Sequence, residues 1–512
     1  MDLIIVLDFG GQYAHLIGRR IREQKVYSKV IPCNTSKNEI INLSDGYNLK
    51  GLVLSGGPSE VYSKNAPDID NDILDLDVPI LGICYGHQLL AKKIGGEIVE
   101  AEKSEYGIVE VGIKRTKGIL KDLPKKIKGW TSHRDIVKEL PEEYETLAST
   151  KNCPIASYSG GKKRIYGIQW HPEVTHTDYG EKVFKNFLFD ICNCEPNWEM
   201  DEFIEEKVEE IKREARSRNC IIGVSGGIDS TTSAVLASRA LGKKLTAVFV
   251  DHGLLRKGEA QEVKETLNRY DLNLIALNER ERFFKKLKGV TDPERKRKII
   301  GEEFIRIFER EAEKADADYL IQGTIYPDWI ESGSEAHSET IKSHHNVGGI
   351  PSEIEFRDII EPLRDLYKDE VREVARSLGI PDEIVERQPF PGPGLAVRLI
   401  GEVTDSKIDI LKRADKIFRE EVEGTSLEKN LWQYFAVLLS TKSTGVKGDA
   451  RDYGHTVALR AVQSDEAMTA NFAKIPYDFL EKISKKITNQ IPEVTRVVYD
   501  ITHKPPATIE WE

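Results

Sequence analysis

The sequence predicts an α/β protein with two parallel-sheet domains and a small α+β domain at its C-terminal end. Apolar strand runs alternate with helical patterns at the start of the chain, and the alternation resumes after residue 220. The length agrees with this division, because 512 residues exceed what one hydrophobic core usually organises. We therefore expect domains at residues 1–195, 196–388 and 389–512.

The first domain opens with short apolar runs that end at turn residues, as the strands of a covered parallel sheet do. Its predicted elements are strands at 3–7, 52–54, 78–83 and 165–170, and helices at 11–24 and 88–94. Between residue 107 and the strand at 165–170 the pattern becomes strand-rich. The domain should therefore combine a βα series with added strands.

The second and third domains are separated by the strongest turn signal in the chain, the Pro-Gly cluster at 389–394. This cluster should either end a domain or line a site. A charged amphipathic helix at 201–219 should link the first two domains. The remaining predicted elements are strands at 221–224, 245–250, 319–321, 456–462 and 496–501, and a helix at 408–422.

The composition excludes several classes of function. The formal net charge is −11, from 85 acidic and 74 basic residues, which argues against a nucleic-acid partner. No run approaches the roughly 18 apolar residues of a membrane span, so we expect no membrane partner. The six cysteines are irregularly spaced, unlike a secreted disulfide framework, and a cytoplasmic location is expected.

A thiol nucleophile is predicted at Cys84, within Gly82-Ile83-Cys84-Tyr85-Gly86. The segment follows an apolar strand and precedes a helix, which is the context of a nucleophile elbow. The flanking glycines permit a sharp turn, and the helix N-terminus favours a thiolate. The alternative is a buried cysteine at a strand end. A base and its orienting group are available in His171-Pro172-Glu173, just past another strand.

These motifs resemble the class I glutamine amidotransferases. The resemblance implies that Cys84 attacks the side-chain amide of glutamine, that His171 shuttles protons and that Glu173 orients His171. Ser55-Gly56-Gly57-Pro58 is similar to the oxyanion loop of that family, which implies N–H donors at Gly57 and Tyr85. Gln88 lies where the family binds glutamine, and 131–135 is similar to a further segment near the substrate.

A second site is predicted at Ser225-Gly226-Gly227-Ile228-Asp229-Ser230, between a strand and a helix. A Gly-rich turn that enters a helix presents free N–H groups to anionic oxygens. The alternative is a simple serine helix cap. The loop lacks the Walker A pattern and resembles that of N-type ATP pyrophosphatases, which cleave ATP between the α and β phosphates. That resemblance implies ATP binding by all six residues and makes Asp229 a ligand for Mg²⁺, the expected cofactor.

The loop alone does not choose the acceptor, since NAD, asparagine and argininosuccinate synthetases and tRNA-thiolating enzymes resemble it. No cysteine follows Cys220, which argues against sulfur transfer. The segments 248–256, 292–301, 322–328, 341–349 and 504–512, together with the two motifs above, resemble the GMP synthetase family along nearly the whole chain. That resemblance implies ATP contacts, a lid over the ATP site, and contacts to xanthosine monophosphate (XMP). The residues implied are Val250, Gly323 and Thr324 for ATP, Lys342, His344 and His345 for the lid, and Arg297, Gln433, Asp449, Lys504 and Glu510 for XMP.

The expected reaction is the ATP-dependent amination of XMP to GMP with ammonia from glutamine, in a homodimer. The partners would be glutamine, ATP and XMP. Two alternatives stay open: a related amidotransferase–pyrophosphatase with another acceptor, such as an NAD-synthetase-like protein, and a catalytically silent nucleotide-binding regulator.

Overall fold

The computed structural model describes residues 1–325, 356–447, 449–464 and 469–512. Lys342, His344 and His345, the predicted lid residues, lie outside the described residues. The chain forms two compact units, Met1–Phe203 and Ile204–Glu512. Within the described segments, no helix is both long and apolar enough to cross a membrane.

The first unit is built on a nine-stranded sheet in the order β2-β1-β3-β4-β9-β8-β7-β5-β6. Pairing is parallel from β2 to β9 and antiparallel from β9 to β6. Its strands are β1 Asp2–Asp8, β2 Tyr27–Pro32, β3 Asn48–Leu54, β4 Ile80–Ile83, β5 Glu97–Ile113, β6 Lys126–Glu139, β7 Tyr144–Ser149, β8 Ser157–Gly160 and β9 Ile165–Ile168, and its helices are α1 Ala14–Arg22, α2 Lys37–Leu43, α3 Tyr85–Lys93 and α4 Gly180–Lys185.

Three neighbouring parallel strands of this sheet position the predicted thiol site. Strands β3, β4 and β9 lie side by side, and their carboxyl ends meet at one edge. The predicted oxyanion loop, residues 55–58, follows β3, Cys84 follows β4 and His171 lies just beyond β9. Because ligands of open α/β sheets bind outside the carboxyl ends of the strands, this edge is where a site belongs.

The second unit contains a five-stranded parallel sheet in the order β12-β11-β10-β13-β14. The chain reverses direction across the sheet between β10 and β13, which is the switch point where ligands bind. Helix α5, Met200–Ala215, begins in the first unit and continues into this one. The other elements are β10 Cys220–Gly223, β11 Leu245–Asp251, β12 Asn273–Asn278, β13 Tyr319–Ile321, β14 Asp358–Ile360, α6 Ile228–Leu241, α7 Glu259–Leu267, α8 Arg280–Leu287, α9 Pro293–Lys314, α10 Lys368–Ser377 and α11 Asp382–Val385.

The C-terminal part of the second unit is an α+β layer. Strands β15 to β17 pair antiparallel, and β18 pairs parallel with β16. Its core is continuous with that of the preceding region, since Phe418 and Ile487 belong to the same buried cluster as Phe283 and Ile300. This shared core explains why both regions form one compact unit. The elements are α12 Asp405–Val422, β15 Gln433–Lys447, β16 Ala450–Gln463, β17 Asn471–Phe472, α13 Tyr477–Gln490 and β18 Val494–Tyr499.

Candidate active sites

The turn between β4 and α3 holds Cys84 in a strained backbone conformation, with φ of 54° and ψ of −105°. Two glycines make this turn possible, because no larger residue would fit. A Cβ on Gly82 would lie 2.4 Å from the carbonyl oxygen of Gly86, and one on Gly86 would lie 2.4 Å from that of Leu54. The Cys84 N–H donates to the carbonyl of Ile168 at 2.8 Å, which anchors the turn to β9. The strain is of the kind that persists only where surrounding structure imposes it.

His171 lies between Cys84 and Glu173. Its Nδ1 is 2.6 Å from Glu173 Oε1, and its ring also interacts with the Cys84 sulfur. All three residues are buried. Burial lowers the pKa of His171, but its interactions with the Glu173 carboxylate and the Cys84 sulfur outweigh that effect and hold this pKa well above its usual value. The geometry therefore favours an imidazolium next to the thiol sulfur.

The dyad of His171 and Glu173 is held by groups that no sequence motif marked. The His171 N–H donates to the Trp130 carbonyl at 2.8 Å, and the Thr177 hydroxyl donates to the His171 carbonyl at 2.6 Å. Arg20 Nε donates to the Glu173 carbonyl at 2.9 Å. The contacts from Trp130 and Arg20 join residues far apart in the chain, so only the folded structure discloses them.

The predicted oxyanion donors lie beside the thiol. A Cβ on Gly56 would be 3.1 Å from His171 Cε1 and 3.6 Å from Cys84 Cβ, so this loop packs directly on the site. A Cβ on Gly57 would be 3.3 Å from Tyr85 Cγ, which brings the two predicted donors together. Tyr85 is the first residue of α3, where N–H groups have no partner within the helix.

Gln88 and the segment 131–135 line the same site. Gln88 Nε2 donates to the Asp135 carbonyl at 2.8 Å and to Gln169 Oε1 at 3.2 Å. The Ser132 carbonyl oxygen lies 3.8 Å from Cys84 Sγ. Gln169, which the sequence analysis missed, also approaches the thiol, with Nε2 at 4.0 Å from Sγ. The buried amide of Gln88 therefore fastens α3 to the strand that faces Cys84.

In the second unit, the loop from Ser225 to Ser230 turns between β10 and α6. The Ser225 and Ser230 hydroxyls are 3.1 Å apart, and the Gly227 N–H donates to Ser225 Oγ at 3.3 Å. Gly226 has φ of +82°, and a Cβ there would lie 2.3 Å from Val263 Cγ2. Helix α6 begins at Ile228 without a side-chain cap, so its first-turn N–H groups suit a phosphate.

Asp229 forms an ion pair with Lys368, a residue that the sequence analysis missed. The Lys368 Nζ lies 2.6 Å and 2.8 Å from the two carboxylate oxygens. Lys368 begins α10, which lies more than 100 residues further along the chain, and no local motif marked it. The contact places the ammonium group of Lys368 directly beside the loop.

The other predicted ATP residues surround this loop. A Cβ on Gly323 would lie 3.1 Å from the backbone nitrogen of Ser230, so the segment after β13 packs on the start of α6. Thr324 Oγ1 is buried and has no hydrogen-bond partner among the residues that the structure describes. Val250, near the carboxyl end of β11, is half-buried. Because β11 and β13 flank β10, these residues lie at the same edge of the sheet as the loop.

The residues present fit a magnesium ion only as a companion of bound phosphates. Among the described side chains, no group of three His, Cys, Asp or Glu residues could hold a metal by itself. Mg²⁺ usually binds through one or two carboxylates plus substrate phosphates. Asp229 supplies one such carboxylate beside the phosphate loop.

The predicted XMP residues fall into separate places. Glu510 accepts hydrogen bonds from Gln433 Nε2 at 3.0 Å and from Arg398, which the sequence analysis missed. Arg297 Nη2 donates to the Glu512 carbonyl, so α9 holds the end of the same tail. The main chain of Lys504 pairs with Ala470.

The structure does not bring Asp449 to this group. Asp449 is an exposed residue in the turn after β15, whereas Gln433 begins that strand. Gln433 pairs with Val462 and Lys447 pairs with Ala450, so Asp449 lies at the opposite end of the β15–β16 hairpin from Gln433. A motif match in the sequence could not register this separation.

Three family models match the chain in order. They are Glutamine amidotransferase class-I over residues 5–191, PP-loop domain over residues 200–381 and GMP synthase C terminal domain over residues 420–511. The chain therefore joins a class I glutamine amidotransferase to a PP-loop domain in one α/β protein. This confirms the predicted fold class.

Curated relatives match over full length. The chain is 54% identical to the GMP synthase [glutamine-hydrolyzing] of Caldicellulosiruptor saccharolyticus, over 100% of this chain and 99% of that protein. It is 52% identical to the protein of that name from Acetivibrio thermocellus and 51% identical to that from Clostridium botulinum, with the same coverage. The chain belongs to the glutamine-hydrolysing GMP synthase family, as the sequence motifs predicted.

Proposed function

We propose that the two sites divide one reaction: GMP is made from XMP, ATP and glutamine, with release of AMP, pyrophosphate and glutamate. The observation that carries this proposal is the presence, in one chain of this family, of the assembled Cys84–His171–Glu173 group and the Ser225–Ser230 loop. The first arrangement suits amide hydrolysis through a thioester, and the second suits a nucleoside triphosphate.

At the first site, the Cys84 thiolate attacks the side-chain carbonyl of glutamine. N–H groups of Gly57 and Tyr85 stabilise the oxyanion, and His171 gives its proton to the departing ammonia. The raised pKa of His171 supplies that proton at neutral pH. Water, deprotonated by His171, then releases glutamate, while Glu173 keeps the imidazole oriented. Gln88 fastens α3 to β6, through the carbonyl of Asp135, beside the glutamine site.

At the second site, the loop residues Ser225, Gly226, Gly227, Ile228, Asp229 and Ser230 bind the phosphates of ATP. Val250, Gly323 and Thr324 complete the ATP crevice, with Lys342, His344 and His345 as its lid. The O2 atom of XMP attacks the α-phosphorus and pyrophosphate leaves; ammonia then attacks C2 and AMP leaves. Mg²⁺, held by Asp229 and the phosphates, would neutralise charge on the pyrophosphate. Lys368 would then turn from Asp229 towards phosphate oxygens.

XMP binding is assigned to Gln433, Lys504 and Glu510 of the C-terminal region, together with Arg297 of α9. Asp449 is better suited to a dimer contact, because its turn is flanked by exposed apolar side chains: Val446 is 78% exposed and Tyr453 is 65% exposed. We extend the proposal to a cytoplasmic homodimer with domains at 1–195, 196–388 and 389–512.

The test is product analysis by liquid chromatography. XMP, ATP and Mg²⁺ are incubated with the enzyme and either glutamine or ammonium chloride. GMP and AMP in equal amounts from both nitrogen sources are expected. AMP without GMP, or amination of nicotinic acid adenine dinucleotide in place of XMP, would overturn the assigned acceptor. The absence of AMP under every condition would favour a silent regulator.

A further inference from the structure

The side chain of Arg398 contacts that of Glu510 directly. Its Nε donates to Glu510 Oε2 at 2.9 Å and its Nη2 donates to Oε1 at 2.7 Å, a bidentate pairing of guanidinium and carboxylate. The two residues are 112 positions apart, and Arg398 follows the Pro-Gly cluster whose role the sequence left undecided. Bidentate pairs fix the plane and direction of a carboxylate as well as its charge.

Two aromatic rings hold the guanidinium in place. The Arg398 Cζ lies 3.9 Å from the ring centroid of Phe435 and 5.2 Å from that of Phe390, which belongs to the Pro-Gly cluster. The Arg398 side chain is 0% exposed. A buried ion pair seldom adds stability over apolar residues of the same size, so its presence calls for a reason other than stability.

Glu510 is the member of the pair that a ligand can reach. Its side chain is 19% exposed, against 0% for that of Arg398. Oε1 accepts from both Arg398 Nη2 and Gln433 Nε2, whereas Oε2 accepts from Arg398 Nε. A carboxylate oxygen has two acceptor directions, so Oε2 retains one for a further donor.

We propose that Arg398 is a positioning residue for the nucleotide acceptor: it fixes the Glu510 carboxylate so that Oε2 accepts a hydrogen bond from XMP. The donor is a ribose hydroxyl or a base N–H. This inference rests on the proposed role of Glu510 as an XMP contact. Arg398 itself touches neither XMP nor ATP, so its loss affects acceptor binding and not the adenylation chemistry.

The test is the kinetics of Arg398→Lys with ammonium as the nitrogen source, which removes the first site from the measurement. Lysine keeps the positive charge but cannot donate the two parallel hydrogen bonds of the guanidinium. We expect the KM for XMP to rise about 10-fold or more, with kcat within about threefold and the KM for ATP unchanged. Arg413→Lys is the control, because Arg413 is likewise an arginine paired with carboxylates, those of Asp409 and Glu493, but its side chain is 24% exposed and lies outside the proposed site. It should change none of these constants.

Phe390→Leu is the second variant, and it serves if Arg398→Lys does not fold. Phe390 is half-buried, so its replacement loosens the guanidinium with less risk to the core. A smaller rise in the KM for XMP, about threefold, is expected. With 2′,3′-dideoxy-XMP as acceptor, the effect of Arg398→Lys should vanish if the donor is a ribose hydroxyl and persist if it is a base N–H.

Glu510→Gln separates this inference from the proposed function. If Glu510→Gln raises the KM for XMP and the Arg398 and Phe390 variants do not, the positioning role is wrong and the role of Glu510 stands. If none of the three variants raises the KM for XMP, the positioning role of Arg398 and the XMP contact of Glu510 are both wrong. The double variant Arg398→Lys/Glu510→Gln should raise the KM for XMP no more than the more severe of the two single variants, because both substitutions remove the same contact between Glu510 and XMP. Additive effects on this KM would overturn the inference.

Discussion

The thiol site and the pyrophosphate loop differ in how far the folded chain completes them. Cys84, His171 and Glu173 are 6%, 4% and 0% exposed, and His171 already interacts with both of the other side chains. At the loop, the Asp229 and Lys368 side chains are 29% and 37% exposed and pair with each other. A covalent mechanism needs its proton donor and acceptor in place beforehand, whereas a phosphate site can be completed by its ligand.

The ion pairs of the two sites, His171–Glu173 and Lys368–Asp229, also differ in how much energy is needed to break them. Breaking a buried pair such as His171–Glu173 typically costs about 3–5 kcal/mol, because a charge is left without its partner. A half-exposed pair such as Lys368–Asp229 is worth at most about 1 kcal/mol. Incoming phosphates can therefore displace Lys368 from Asp229 at little cost, while the thiol site keeps its arrangement.

Asp229→Asn should have the largest effect on the reaction with both nitrogen sources, because it removes the carboxylate at the loop while leaving the first unit untouched. We expect GMP formation to fall about 10³-fold with either nitrogen source. Measured AMP release should fall in parallel. Asp382→Asn, at an exposed carboxylate paired with Arg376, is the control and should keep the wild-type rate. Retention of more than a tenth of the activity by Asp229→Asn would show that the loop is not the ATP site.

Glu173→Gln should affect only the glutamine-dependent reaction, which we expect to fall about 10²-fold. Its pH dependence gives a sharper result. Glu173 helps to raise the pKa of His171, so its loss lowers that pKa, and the imidazolium loses its proton at a lower pH. The alkaline limb of the profile for glutamine hydrolysis should therefore move to lower pH. An unchanged limb would mean that Glu173 does not act on His171.

Gly86→Ala should give the smallest of these effects. Its new Cβ would lie 2.4 Å from the Leu54 carbonyl oxygen, so the elbow must shift. A loss of about 1–3 kcal/mol in the free energy of unfolding of the first unit is expected, with roughly 10-fold slower use of glutamine. Gly112→Ala is the matched control, since its nearest neighbour would be 3.5 Å away. If thermal denaturation shows equal losses of stability in both variants, the claim that the turn at Cys84 specifically requires Gly86 is contradicted.

Local patterns predicted much of the fold. The strand runs at 3–7, 78–83 and 245–250 correspond to β1, β4 and β11, because buried parallel strands are short and uniformly apolar. The long strands β5 and β6 were predicted only as a strand-rich region, since their mixed polar and apolar residues carry no clear period. The shared core of the last two regions depends on packing between distant helices, which no local pattern records.

The same division applies to the sites. Cys84, His171 and the loop at 225–230 stand in short motifs and were predicted. Lys368 and Arg398 were missed because each acts through a partner more than 100 residues away. Asp449 was grouped with Gln433 by motif alone, although a long strand keeps them apart.

The most direct test of two separable sites is GMP formation by Cys84→Ala from XMP, ATP and Mg²⁺, with glutamine and with ammonium chloride. The variant lacks the nucleophile but keeps the whole second unit. We expect no GMP above background with glutamine, a loss of at least about 10⁴-fold, and the wild-type rate with ammonium. GMP from glutamine in this variant, or loss of the ammonium reaction, would contradict the division of labour between the two sites.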